Sequence, residues 1–179
     1  MKKRTTIASL LVVAVLFISG CASVEQWTGK SSPDFTVTDI DGKTFTLSQQ
    51  KGKDVIVVAF TTKCPFCKME VPNLIRLRNS YDADSVMIIA ISNEDDAALR
   101  TFRQAKGVNY FIASAENLPP PYGEIDVIPT FFFIDRNGTI RETALGYHSF
   151  EELKSLVSAM GVTTLPAKPT LVIPPPQGG

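Results

Sequence analysis

Two short apolar runs constrain this chain more than any other feature. Residues 55–60 read VIVVAF and residues 86–91 read VMIIAI, each unbroken and each of strand length. A strand with one face in water alternates apolar and polar residues, so an unbroken run requires cover on both faces. Between the runs, residues 65–79 read as a helix with Val71, Leu74, Ile75 and Arg78 on one side. Strand, helix, strand is a parallel crossover. A second helix over residues 95–106, stopped by Gly107, and a short strand over 110–113 extend the series. Residues 130–134 (TFFFI), a turn at Arg136-Asn137-Gly138 and residues 139–145 form a β-hairpin. Ser149 with Glu152 three residues on is a capping box for a last helix running to Met160. Ahead of the first run, residues 35–40 alternate, Asp41-Gly42 turns the chain, and residues 43–47 return as a hairpin arm. The expectation is an α/β fold of three layers, with a mixed central sheet and an N-terminal β-hairpin extension.

The folded unit bounded in this way covers residues 33–161 of the 179, and both ends differ from it. Lys2, Lys3 and Arg4 precede an apolar stretch too short to span a bilayer, the pattern of a signal peptide over residues 1–20. Ile18-Ser19-Gly20-Cys21 resembles the bacterial lipobox, which implies that Cys21 is lipidated and becomes the mature N-terminus. Residues 21–32 then read as the lipidated Cys and a polar tether. The membrane is a partner through this anchor and not through a spanning helix. Ala22 points toward the outer membrane, so the expected place is the bacterial cell envelope, facing the periplasm. Residues 162–179 hold five of the twelve prolines and read as a Pro-rich flexible tail.

Charge and cysteine content narrow the function. Lys+Arg and Asp+Glu balance at 18 each, and loss of Lys2, Lys3 and Arg4 takes the net charge from 0 to −3. Nucleic acid is not an expected partner, because phosphate binding needs a concentrated basic face. With Cys21 committed to lipid, Cys64 and Cys67 are the remaining thiols, in a compartment where any thiol must be explained.

Cys64-Pro65-Phe66-Cys67 sits where a buried strand hands over to a helix. At the helix N-cap, free N–H groups and the macrodipole favour an anion, and Pro65 at the first helical position costs no hydrogen bond. A thiolate there is a nucleophile. The dipole supplies only about 0.3–1 kcal/mol, so a larger effect needs hydrogen bonding from Cys67 or the ammonium of Lys63. Three other uses compete with redox exchange. A staple across so small a loop gives about 2 kcal/mol, less than a long loop would. A zinc site lacks ligands, since His148 is the one His and reads as an ordinary surface residue. A copper site has only Met69 to add. No metal and no cofactor is expected, and redox exchange is the favoured use.

The stretch VIVVAFTTKCPFCKMEVPNL is similar to the active-site strand and helix of the thioredoxin superfamily, in its membrane-tethered TlpA/ResA-like branch of thiol-disulfide reductases. Pro72 within the helix, Val127-Ile128-Pro129-Thr130 before FFFIDRNG, and Gly146-Tyr147 after the hairpin fit the same resemblance. It implies a thioredoxin-like fold in which Cys64 attacks a substrate disulfide and Cys67 resolves the mixed disulfide. It implies a cis Pro129 facing the cysteines, with Ile128 offering backbone groups to an extended substrate and Lys63 beside the nucleophile. Glu70 matches an acidic position of this branch and, three residues after Cys67, shares its helix face as a proton acceptor; a solvated surface carboxylate is the alternative. The sequence departs from the family at Lys63, usually Trp, and at Val58, often Asn or Asp. The implied activity is an extracytoplasmic thiol-disulfide oxidoreductase of the reductase type. Its partners would be disulfide-containing secreted proteins, apocytochrome c among them, and an upstream membrane electron donor. Two alternatives are a peroxiredoxin-like thiol peroxidase, with Thr61 preceding Cys64 but Val57 where that motif has Pro, and a copper- or haem-handling chaperone.

Overall fold

The two apolar runs lie side by side at the centre of the protein. In this computed structural model, residues 24–162 are described. The stretch expected as a signal peptide, Cys21 and the Pro-rich stretch from residue 163 onward lie outside them. β1 (Thr36–Thr38) and β2 (Thr44–Thr46) pair antiparallel as a two-stranded hairpin. β3 (Asp54–Ala59) and β4 (Val86–Ser92) pair in parallel, Ile56 opposite Ile88. β5 (Phe111–Ser114) joins β4 in parallel, while β6 (Thr130–Ile134) and β7 (Ile140–Leu145) add antiparallel on the other side of β3. The order is β5-β4-β3-β6-β7, a mixed sheet in which the apolar runs take the interior places they require.

Alternation within the strands sorts the core into two halves. Ile56, Val58, Ile88, Ala90, Phe131 and Phe133 face α1 (Pro65–Ser80), α2 (Asp96–Lys106) and α3 (Phe150–Ala159). Val55, Val57, Ile89, Ile91, Phe132 and Ile134 face the hairpin, through Phe35, Val37 and Phe45, and the loop carrying Tyr122. The helices thus cover one face, and hairpin and loop the other. The three consecutive phenylalanines of β6 serve both halves, each contributing about 1.5–3 kcal/mol by burial.

Local signals set the element ends. Ser149 and Glu152 form the complete capping box at α3. Asp95 caps α2, and Gly107 ends it in the left-handed conformation. On α1 the buried stripe is Cys67, Glu70, Val71, Leu74 and Leu77. The apolar periodicity had pointed to Ile75 and Arg78 in place of Leu77. Instead Ile75 is half-buried, and Arg78 folds back onto the Tyr81 carbonyl at 3.1 Å. The segment expected as a tether is hydrogen-bonded to the domain. Gly29 N–H reaches Ile140 C=O at 2.7 Å, Ile140 N–H reaches Lys30 C=O at 3.0 Å, and Trp27 packs on the hairpin-side core.

Register fixes where the dithiol stands. Ala59, Thr130 and Leu145 are aligned at one end of the sheet, and Cys64 follows from there. The N-terminal segment pairs at the opposite end, beside Gly138 and Ile140.

Candidate active site

Cys64 is the N-cap of α1, in extended conformation with φ −66° and ψ 122°. Its sulfur accepts the Cys67 N–H at 3.2 Å, which satisfies one of the donors a helix start leaves open. Cys64 is half-buried, while Cys67, one turn on, is only 3% exposed. Burial, and then the hydrogen bond with Cys64, pushes the Cys67 thiol up to about 12, with the Thr61 backbone N–H acting in the opposite direction. One sulfur is therefore open to a substrate and the other is a buried thiol that needs help to ionise.

The Ile128–Pro129 peptide is cis, and the Ile128 carbonyl lies 3.8 Å from the Cys64 sulfur as its hydrogen-bond acceptor. The loop is tied down behind the site. Gly146, at φ 80°, sends its N–H to the Pro129 carbonyl at 2.7 Å, a conformation that excludes most side chains there. Beside the loop opens a cleft of about 560 Å³, with Thr61, Ile91, Asn93, Tyr122, Ile125 and Ile128 among its walls. The large apolar side chains left most exposed are Phe66, Met69, Val127, Leu145 and Tyr147. All of them stand on the three segments that converge on Cys64.

Glu70 is 1% exposed, so the solvated alternative does not describe it. Its Oε2 accepts the His148 N–H at 2.8 Å and its Oε1 lies 3.5 Å from the Asn73 amide nitrogen, which also reaches the His148 carbonyl at 3.0 Å. Burial still outweighs these donors and pushes the carboxyl up to about 7. His148 is correspondingly not an ordinary surface residue. It is half-buried, its Nδ1 is 2.9 Å from the Gly146 carbonyl, and its ring meets Phe131 edge-on. Asn73 escaped the sequence reading, although its position three residues after Glu70 on one helix was a usable signal. The His148 contact joins residues far apart in the chain, and no local pattern announces it.

Val58, where the family resemblance leads one to expect Asn or Asp, is buried among the apolar side chains around Cys67. Glu70 is thus the buried carboxylate on the Cys67 face of α1. Lys63 is exposed and forms no ion pair among the described residues. On the other side of the turn, Thr62 gives both its N–H and its hydroxyl to the Glu94 carboxylate, at 2.6 and 2.7 Å. Val57, where a peroxidatic motif needs Pro, is fully buried in the middle of β3.

Comparison with known proteins adds to this geometry. The AhpC/TSA family model matches residues 28–143. The thiol-disulfide oxidoreductase ResA of Bacillus thuringiensis (strain Al Hakam) is 33% identical over 129 residues, spanning 70% of this chain and 74% of that protein. A thioredoxin-family thiol:disulfide interchange protein of Chlorobium tepidum has a similar structure, with TM-score 0.64, 27% identity and coverage of 73% of this chain and 94% of that one. StoA of Bacillus subtilis matches with TM-score 0.57 and 25% identity, over 69% of this chain and 96% of its own.

Proposed function

We infer the function from the premise that this chain belongs to the AhpC/TSA family, in its thioredoxin-like form: it is a thiol-disulfide oxidoreductase acting on protein disulfides. The observation that carries the reading is the asymmetric pair at the start of α1, a half-exposed Cys64 at the N-cap with Cys67 buried behind it.

The reaction follows from that asymmetry. Cys64 as thiolate attacks one sulfur of a substrate disulfide; the substrate S–S bond breaks, a mixed disulfide forms, and the departing thiolate takes a proton from solvent. Cys67 then gives its proton to the Glu70 carboxylate and attacks the Cys64 sulfur. The second substrate thiolate leaves, and two electrons have passed from the protein to the substrate. The Cys64–Cys67 disulfide so formed is reduced again by an upstream dithiol at the membrane. Ile128 and Pro129 line the approach to Cys64, and the apolar side chains around it receive an extended, unfolded segment of the substrate. Lys63 borders the same entrance.

The site of action is the bacterial cell envelope, with Cys21 as the lipid attachment and secreted disulfide proteins, apocytochrome c among them, as substrates. The lipobox-like Ile18-Ser19-Gly20-Cys21 and the basic N-terminus support this. The insulin-disulfide reduction assay tests the activity: Cys64→Ser and Cys67→Ser each abolish it, and activity retained in either would end this reading. The direction of transfer is tested by the reduction potential of the pair. A value near about −270 mV marks an electron donor, and one near about −120 mV marks an oxidant.

A further inference from the structure

The turn that carries the nucleophile is held by one side chain from elsewhere in the fold. β4 ends at Ser92, whose buried hydroxyl accepts the Glu94 N–H at 3.2 Å and reaches Glu94 Oε2 at 3.3 Å. This folds the carboxylate back toward the exit of β3. There Oε2 accepts the Thr62 N–H and Oε1 accepts the Thr62 hydroxyl. Residues 61–63 otherwise rest on one long backbone contact, Cys64 N–H to Thr61 C=O at 3.4 Å. No other side chain among the described residues hydrogen-bonds to this turn. A carboxylate gripping two donors of one residue is charge-assisted and bidentate, which adds orientation to strength. The residue on one side of that grip is Thr61, whose carbonyl accepts the Cys64 N–H. On the other side, Lys63 leads directly into Cys64.

We propose that Glu94 is a positioning residue for the dithiol: by holding Thr62 at two points, it fixes the turn that sets Cys64 at the helix start, in line with Cys67. The inference rests on the thiol-disulfide exchange reading above and adds to it the residue that aligns the resolving step. Without the grip, the turn is free to shift, and the Cys64 sulfur shifts with it. The Cys67 thiolate, held on α1, then meets a Cys64 sulfur that is no longer in line for its attack. Small displacements of reacting groups are costly in such a step.

Reaction of the reduced protein with Ellman's reagent separates the two steps. Cys64 attacks the reagent's disulfide and releases one thionitrobenzoate. Cys67 then attacks the Cys64-bound sulfur, releases the second and closes the protein disulfide. The expected result for Glu94→Ala is a second phase slowed by about tenfold, with the first phase changed little. Glu94→Gln, whose amide oxygen still accepts the Thr62 N–H, recovers most of the rate, and Thr62→Val falls between. Thermal melts of each oxidised variant accompany the kinetics. Equal slowing of both phases, an unchanged second phase in Glu94→Ala, or no rescue by Glu94→Gln would overturn the proposal. The functional reading fails separately, if Cys64→Ser still reduces insulin.

Discussion

Glu70 concentrates the acid–base question in one side chain. It is buried, and its carboxyl is pushed up to about 7, above the value of 4.5 it has in an open chain. An acid whose folded-state value is raised favours folding in its protonated form. That contribution is complete below about 4.5 and is lost as pH rises through about 7. The wild-type protein therefore loses stability relative to Glu70→Gln over this window, by about 2–3 kcal/mol at its upper end. Chemical denaturation of both proteins at pH 4, 6 and 8.5 checks this, and a pH-independent difference contradicts it. In the proposed reaction the same group has the opposite preference, because only as a carboxylate could it accept the Cys67 proton. The rate of the resolving step rises with pH through about 7 in the wild type. In Glu70→Gln that inflection disappears and the rate falls by about a hundredfold. Burial of Glu70 was not readable from its place in the sequence, where a Glu on a helix is most simply a solvated one. What buries it is the return of the chain at His148, seventy-eight residues on.

At the scale of elements, the loop–strand joint behind Pro129 is the most exposed to mutation. Gly146 holds φ 80° while its N–H pins the Pro129 carbonyl. Gly146→Ala is expected to cost about 1–2 kcal/mol and to lower insulin reduction by more than the loss of stability explains. Denaturant midpoints measured beside turnover separate the two effects. Much of this scale was legible in advance. The unbroken runs became interior strands, and Ser149 with Glu152 closed a full capping box. The stripe on α1 was read less well, for a physical reason. A reading led by apolar periodicity skips Cys67 and Glu70, which are buried on the same face, and so slides toward Ile75 and Arg78 and misses Leu77. Pairing at the N-terminal segment was not legible either, since edge-strand addition is made by backbone groups that every residue carries.

At the scale of the whole molecule, the dithiol and the N-terminal segment occupy opposite ends of the sheet. Trp27 packs on the hairpin side of the core and residues 29–32 pair along β7, so this stretch adds to domain stability. Trp27→Ala is expected to lower stability by about 1–2 kcal/mol and to leave the rate of reaction with a small disulfide unchanged, which thermal melts and kinetics on one preparation resolve. The exposed apolar side chains gather at the other end, where a second protein must meet Cys64. That meeting is covalent, and it is where the account is most directly tested. Cys67→Ser, incubated with a disulfide-containing protein and analysed by intact mass and peptide mapping without reductant, should hold the substrate on Cys64 as a stable mixed disulfide. Cys64→Ser should hold none. An adduct on Cys67 in the Cys64→Ser protein, with none on Cys64 in the Cys67→Ser protein, would contradict the assignment of attacking and resolving thiols.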